Sequence, residues 1–320
     1  NTGACEFLRE LSVHLFTQDD RVILSAEDSS AHPYVTLPAG IGGLGFNYKW
    51  DMGWMNDTLK YFKLDPIYRK YHHNQLTFSM AYFYNEQFML PLSHDEVVHM
   101  KGSLLNKMPG DQWQQFANYK TLIGYMLTHP GKKLLFMGDE MPSYDEWHYE
   151  GELPWEIRKY PNHDAASRFT MDMTNVYKNS KALWQCDYKP EGFMWLEADN
   201  CDQSLYVYAR FAKDKKDHLI IVMNCTPNVY HDYEIGAICP DRYIEVINSD
   251  KDIYGGSNQI NLKPVKVEHK PWQHCKNKMR ITVPPLGIVV LKPIYKVPRA
   301  KKSDGTIDKQ KKEKNVKKAI

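Results

Sequence analysis

The strongest constraint in this sequence is a change of rhythm near Gly192. Before it, apolar runs of strand length alternate with stretches of helical spacing. Phe7, Leu8, Leu11 and Leu15 recur at the spacing of a buried helix face, and the apolar run Val22–Leu24 follows as a short strand. Helical stretches are expected around Trp54–Phe62 and Leu76–Tyr84, and the strand Phe88–Leu92 comes next. A longer helix opens near Asp111, runs to about Thr128 and stops at Pro130-Gly131, and leads to the strand Leu134–Met137. Strands that alternate with helices imply parallel βα units.

After Gly192 no helical period intervenes. Leu205–Ala209, Leu219–Met223, Tyr243–Ile247, Met279–Val283 and Ile288–Leu291 read as strands separated by polar and Gly/Pro-rich turns. That pattern predicts a second domain, an antiparallel β-sandwich. The domain boundaries are set at 1–188, 189–294 and, for a Lys-rich tail expected to be disordered, 295–320.

Composition narrows the function classes. The chain has 320 residues, 42% of them apolar and 25% charged, which suits folded domains with real cores. No apolar run nears the roughly 20 residues that span a bilayer, so no membrane partner is expected. The net charge of +2 is uneven. Residues 296–320 hold ten Lys or Arg against three acids, and the body is mildly acidic. Such a tail can bind nucleic acid, but it has no aromatic beyond Tyr295 to stack on bases, so a solvated end is the better reading and no nucleic-acid partner is expected. The six cysteines show no metal or redox spacing and are expected to be reduced thiols in a cytoplasmic protein. No metal or organic cofactor is implied.

Two strand ends carry the informative polar residues. Ser25-Ala26-Glu27-Asp28-Ser29-Ser30 follows the strand Val22–Leu24, and Ser93-His94-Asp95-Glu96-Val97-Val98-His99 follows the strand Phe88–Leu92. In a parallel βα architecture the C-terminal ends of strands converge on one face, where active sites form. Carboxylates that meet there suit glycoside chemistry, in which one must be protonated to release an oxygen and others must stay anionic beside an oxocarbenium-like centre. Each motif alone also fits a helix cap or a structural histidine. Their combination is what points to chemistry.

Longer runs carry a resemblance. Gly42–Met55, Leu64–Arg69, Leu90–His99, Met108–Asp111 and Leu134–Gly138 are similar to the bacterial 1,4-α-glucan branching enzymes. Val246–Asp250, Tyr254–Ser257 and Pro284–Leu286 extend the similarity through the β domain, over about residues 1–293 in all. The resemblance implies the α-amylase superfamily, with the C-terminal half of a (β/α)₈ TIM barrel followed by an all-β sandwich domain. It implies retaining transfer of an α-1,4-glucan or glycogen chain to a 6-hydroxyl. It assigns the general acid/base to Glu27 and the transition-state-stabilising carboxylate to Asp95, with His94 gripping sugar hydroxyls beside it. It also places Tyr48, Lys49, Trp50 and Trp54 near the acceptor side as glucan contacts, although buried Trp is often simple core.

The family's nucleophilic Asp lies on a strand upstream of Glu27, and its motif is not in this sequence. The expectation is therefore the C-terminal half of a longer enzyme, inactive by itself, with its N-terminal half as the missing partner. Asp28 and Glu96 do not look like replacement nucleophiles. Three positions depart from the family: Asp139 stands where an amide is usual, Met100 where Gly is usual, and Pro154 where Asp is usual. His72 and His73 are read as packing residues. Two alternatives remain open: a hydrolase of the same superfamily, and a non-catalytic glucan-binding scaffold.

Overall fold

The computed structural model describes residues 1–295. The expectation for the Lys-rich tail falls outside these residues except at Tyr295.

Helix α1 (Thr2–Gln18) starts where the Asn1 side chain accepts the Ala4 N–H. Four short strands then form a parallel sheet in sequence order: β1 (Ser25–Ala26), β2 (Tyr48–Trp50), β3 (Phe88–Leu92) and β4 (Lys132–Leu135). Helix α2 (Met52–Phe62) and the short α3 (Asn74–Thr77) connect β2 to β3. Helix α4 (Gln112–Thr128) joins β3 to β4 and opens on a capping box between Asp111 and Gln114. Helix α5 (Pro161–Asn179) follows β4, with proline in its first turn, where a missing N–H costs nothing.

Three expectations shift. The first strand lies at Ser25–Ala26, not Val22–Leu24, because the Leu24 carbonyl takes the Asn47 and Tyr48 N–H groups and its own N–H goes to the Asn47 side chain. Ladder pairing begins only after that turn. The last strand runs Lys132–Leu135 rather than Leu134–Met137, since its register is set by pairing Met89 with Lys132 and Leu92 with Leu135. The helix expected over Leu76–Tyr84 breaks into α3 and single 3₁₀ turns, with Phe83 fully buried and Tyr82 bonded to Asp51. Side-chain packing sets that backbone more than helical bonding does.

After Gly192 the chain forms eight antiparallel strands: β5 (Phe193–Glu197), β6 (Leu205–Phe211), β7 (His218–Asn224), β8 (Tyr230–Ala237), β9 (Arg242–Asn248), β10 (Val265–Glu268), β11 (Asn277–Val283) and β12 (Gly287–Ile294). Their spatial order is β5-β6-β7-β12-β9-β10-β11-β8. All five strands expected from sequence are present, and β5, β8 and β10 are additional. Strands β6 and β7 are buried on both faces, and alternation divides their residues between two cores. Val207, Ala209, Ile220 and Val222 pack with Ile235, Met279 and Ile281 inside the β domain. Tyr206, Tyr208, Ile221 and Met223 instead join the core that contains α2 and α4.

That second core ties the β domain to the parallel sheet. Helix α4 is buried on nearly every side, and a Cβ at Gly124 would stand 2.5 Å from Ile288, so only glycine allows this approach. Fully buried Arg210 bonds Asp187 at 2.8 Å and the carbonyls of Thr128, Leu183 and Gly192. Fully buried Arg69 reaches the Cys225 carbonyl at 2.9 Å. Buried guanidinium groups with every nitrogen hydrogen-bonded fix orientation between layers.

Candidate active site

Register decides which strand-end residues share a face. Lys49 lies opposite Phe88 and Trp50 opposite Met89. Phe88, Leu90 and Leu92 face the helical core, so Lys49 points to the helices and Trp50 to the opposite face. Strand β1 follows the same rule, with Ser25 opposite Tyr48 and Ala26 opposite Lys49. Glu27, directly past β1, thus falls on the face of Tyr48 and Trp50, away from the helices. Asp28 falls on the other. The structure agrees, because Asp28 bonds the Lys49 ammonium at 3.0 Å.

Glu27 is exposed. His94 and Asp95 follow β3, half exposed, with His94 Nε2 3.1 Å from Asp95 Oδ1. The His94 ring lies 5.8 Å from that of Phe136 and 6.4 Å from that of Trp147, so aromatic rings flank it. One carboxylate free at one strand end and one paired with an imidazole at another is an arrangement suited to proton transfer beside a held polyol.

The four residues expected to touch sugar separate. Tyr48 and Trp50 are half-buried on the Glu27 face. Lys49 is 6% exposed and its ammonium is occupied by Asp28 and by the Ser30 carbonyl at 2.9 Å, so it acts on the loop and not on a ligand. Trp54 is a correction: it is 1% exposed, stacked 6.0 Å from Tyr125 within the helical core, and no sugar reaches it. Its position in the first turn of α2 turns it toward α4. His73, read as a packing residue, is buried and stacks on Tyr206 at 4.0 Å.

Two cavities border these residues. A cleft of about 580 Å³ has Asp28, Lys49, Trp50, Asp51, Tyr82 and Glu86 among its lining residues. On its wall Asp51 caps α2, with one oxygen taking the Trp54 N–H and the Tyr82 hydroxyl, while its other oxygen is buried without a partner. Burial outweighs those bonds and pushes the Asp51 carboxyl up to about 6. For Asp28 burial also pushes upward, but the Ser30 N–H and hydroxyl and Lys49 prevail and hold it below the usual range. A smaller cavity of about 180 Å³ sits at the ends of β3 and β4, lined by Val97, Leu104, Met137, Asp139 and Trp147. Burial first, and then neighbouring Glu140, raise the Asp139 carboxyl well above its ordinary value.

Sequence reasoning missed Lys107, Glu146 and Trp147, which surround the His94–Asp95 loop. Nothing in their local pattern marks them, because their partners are backbone atoms: those of Lys107 lie within the same loop, and those of Glu146 and Trp147 lie far back along the chain. Among the described residues no group of three or more His, Cys, Asp or Glu is placed to hold a metal ion. No helix among them is long and apolar enough to cross a membrane. All six cysteines are unpaired.

Residues 195–294 match the family described as alpha amylase, C-terminal all-beta domain. Over 306 residues the chain is 47% identical to the 1,4-alpha-glucan branching enzyme GlgB of Bacillus cereus (strain Q1), an alignment covering 96% of this chain and 47% of that protein. GlgB of Bacillus anthracis matches at the same identity and coverage. The chain spans about half the length of the curated relatives it matches. Among solved structures, the native form of the Nostoc punctiforme debranching enzyme superposes with a TM-score of 0.62 at 13% identity, over 90% of this chain and 55% of that one. At that identity the likeness is one of fold.

Proposed function

We propose that this chain is the C-terminal half of a bacterial-type 1,4-α-glucan branching enzyme of the α-amylase superfamily, a retaining glycosyltransferase of glycogen biosynthesis. Residues 1–188 would supply four strands and their helices to a (β/α)₈ barrel, and 189–294 the all-β C-terminal domain. One observation carries the reading. A chain 47% identical to branching enzymes along 96% of its length sets Glu27 and the His94–Asp95 pair just past the C-terminal ends of two strands in one parallel sheet.

In the proposed reaction Glu27 protonates the glycosidic oxygen as the α-1,4 bond breaks and a carboxylate nucleophile takes the anomeric carbon. Glu27, now anionic, removes the proton from the 6-hydroxyl of an acceptor glucan. That oxygen then displaces the nucleophile and forms the α-1,6 branch. Asp95 and His94 hold hydroxyls of the reacting sugar, and Tyr48 and Trp50 line the approach. Asp28 is committed to Lys49, so we assign the nucleophile to the strands that complete the barrel. The partners are then glucan chains and that other half of the barrel, and six unpaired thiols suit a cytoplasmic setting.

The test is the natural-length protein acting on amylose. Branching predicts a fall and blue shift in iodine colour, few new reducing ends, and α-1,6 linkages on analysis of the product. Reducing ends without α-1,6 linkages would overturn the reading in favour of hydrolysis. Glu27→Gln should lower kcat by about 10²- to 10⁴-fold, and an unchanged rate would remove Glu27 from the role.

A further inference from the structure

The loop of residues 93–111, between β3 and α4, begins with His94 and Asp95 and then enters an unfavourable backbone region. His99 has φ 57°, Met100 φ 66° and Gly102 φ 76°. Two adjacent residues with side chains in the left-handed region are costly and persist only where surroundings impose them. Lys107, 8% exposed, donates from Nζ to the carbonyls of Glu96 at 2.5 Å, Lys101 at 2.9 Å and Gly102. An ammonium has three donors and no acceptor, so three carbonyls satisfy it fully. Glu146 takes the complementary groups, the N–H of Met100 at 3.0 Å and of Gly102 at 2.6 Å. Beside it the Trp147 N–H bonds the Val97 carbonyl at 3.0 Å, and the Ser103 hydroxyl bonds the Ser143 carbonyl.

We infer that Lys107 and Glu146 are positioning residues that clamp residues 96–102 from both polarities and so hold His94 and Asp95 in place for the glucan. The ammonium gathers carbonyls, the carboxylate gathers amides, and neither touches substrate. The inference rests on the proposed transfer reaction for its catalytic consequence, whereas the clamp itself is a property of the loop.

The clamp is also sensitive to alkali. Burial lowers the Lys107 ammonium to about 8, aided by Lys63 at the end of α2 and opposed by Glu96 on the same loop, Asp139 past β4 and Glu146. A neutral amine keeps only two donors, and three carbonyls then cannot all be held. Loss of the proton above about pH 8 loosens the loop.

The experiment compares wild type, Lys107→Met and Lys107→Arg in the natural-length protein. Lys107→Met should cut kcat at least tenfold per folded molecule with KM for glucan within about threefold, and should abolish the alkaline limb near pH 8. Lys107→Arg should restore most of kcat and move that limb upward by more than one pH unit. A Lys107→Met enzyme with wild-type kcat and limb, or one that loses only folded protein, would overturn the inference. Amide exchange in the same variants separates it from the functional reading. Exchange at Met100 and Gly102 should quicken at least tenfold in Lys107→Met while β3 stays protected. Faster exchange with no branching by wild type keeps the clamp and sinks the function, and unchanged exchange sinks the clamp whatever the activity.

Discussion

The two loops that follow the proposed catalytic residues solve one problem with the same pair of charges. In the loop of residues 27–47, after Glu27, Lys49 takes the Ser30 carbonyl while Glu86 takes the N–H groups of Val35 and Thr36. After Asp95, Lys107 takes three carbonyls while Glu146 takes two N–H groups. The loops differ in two respects. Lys49 has a carboxylate partner in Asp28, but Lys107 has only neutral carbonyls within bonding reach, so burial weakens its hold on its proton. Both loops use glycine at two left-handed positions, Gly42 and Gly45 in the first and Gly102 and Gly110 in the second, but the first has one residue with a side chain there, Tyr34, whereas the second places His99 and Met100 there side by side. A charged clamp thus supports modest strain in one loop and concentrated strain in the other, beside the residues that would hold the sugar.

Asp51, beneath the first loop, has no counterpart in the second and gives the largest expected effect. Its folded pKa of about 6 exceeds the ordinary carboxylate value, so its proton stabilises the fold fully below about pH 4. That stabilisation is lost as pH rises through 6. Asn keeps the helix cap without the buried charge. Asp51→Asn should therefore gain about 3 kcal/mol over wild type between pH 4 and pH 7, read from urea melts at both values. A constant difference across that range would remove Asp51 as the source.

Breaking the first clamp comes next. Lys49→Met leaves Asp28 without its cation, and a loss of about 2 kcal/mol is expected, below the range for fully buried pairs because Asp28 is partly solvated. The double variant with Asp28→Asn should recover part of that loss, and strict additivity in the double-mutant cycle would show that the pair is not coupled. The smallest effect concerns strain. Met100→Gly should stabilise by about 1 kcal/mol, since Met100 is almost fully exposed and glycine accepts φ 66° freely. Met100→Val should destabilise, and equal melting of the two variants would show that the loop carries no strain.

Much of this was legible from the sequence, and the failures share a cause. The capped helix at Gln112–Thr128 and the strand at Phe88–Leu92 were readable because period and end signals agree. The sequence puts the two-residue strand β1 too early because hydropathy marks apolar residues but not where a ladder begins. Trp54 reads as a possible sugar contact in sequence because an aromatic run cannot tell a ring facing a ligand from one facing α4. Asp139 and Met100 stood out as departures, but only the folded chain shows that one is a buried carboxyl at a cavity and the other a strained residue on a clamped loop.

By itself the sequence determined the order of elements, the change from parallel to antiparallel pairing near Gly192, and the motifs at two strand ends. Those follow from local periodicity and composition, which each segment carries alone. The tertiary structure decided which face each side chain occupies and which buried charges serve backbone rather than ligand. That depends on register and on partners such as Lys49 with Asp28 and Lys107 with Glu96, Lys101 and Gly102, which meet only when strands pair and loops close.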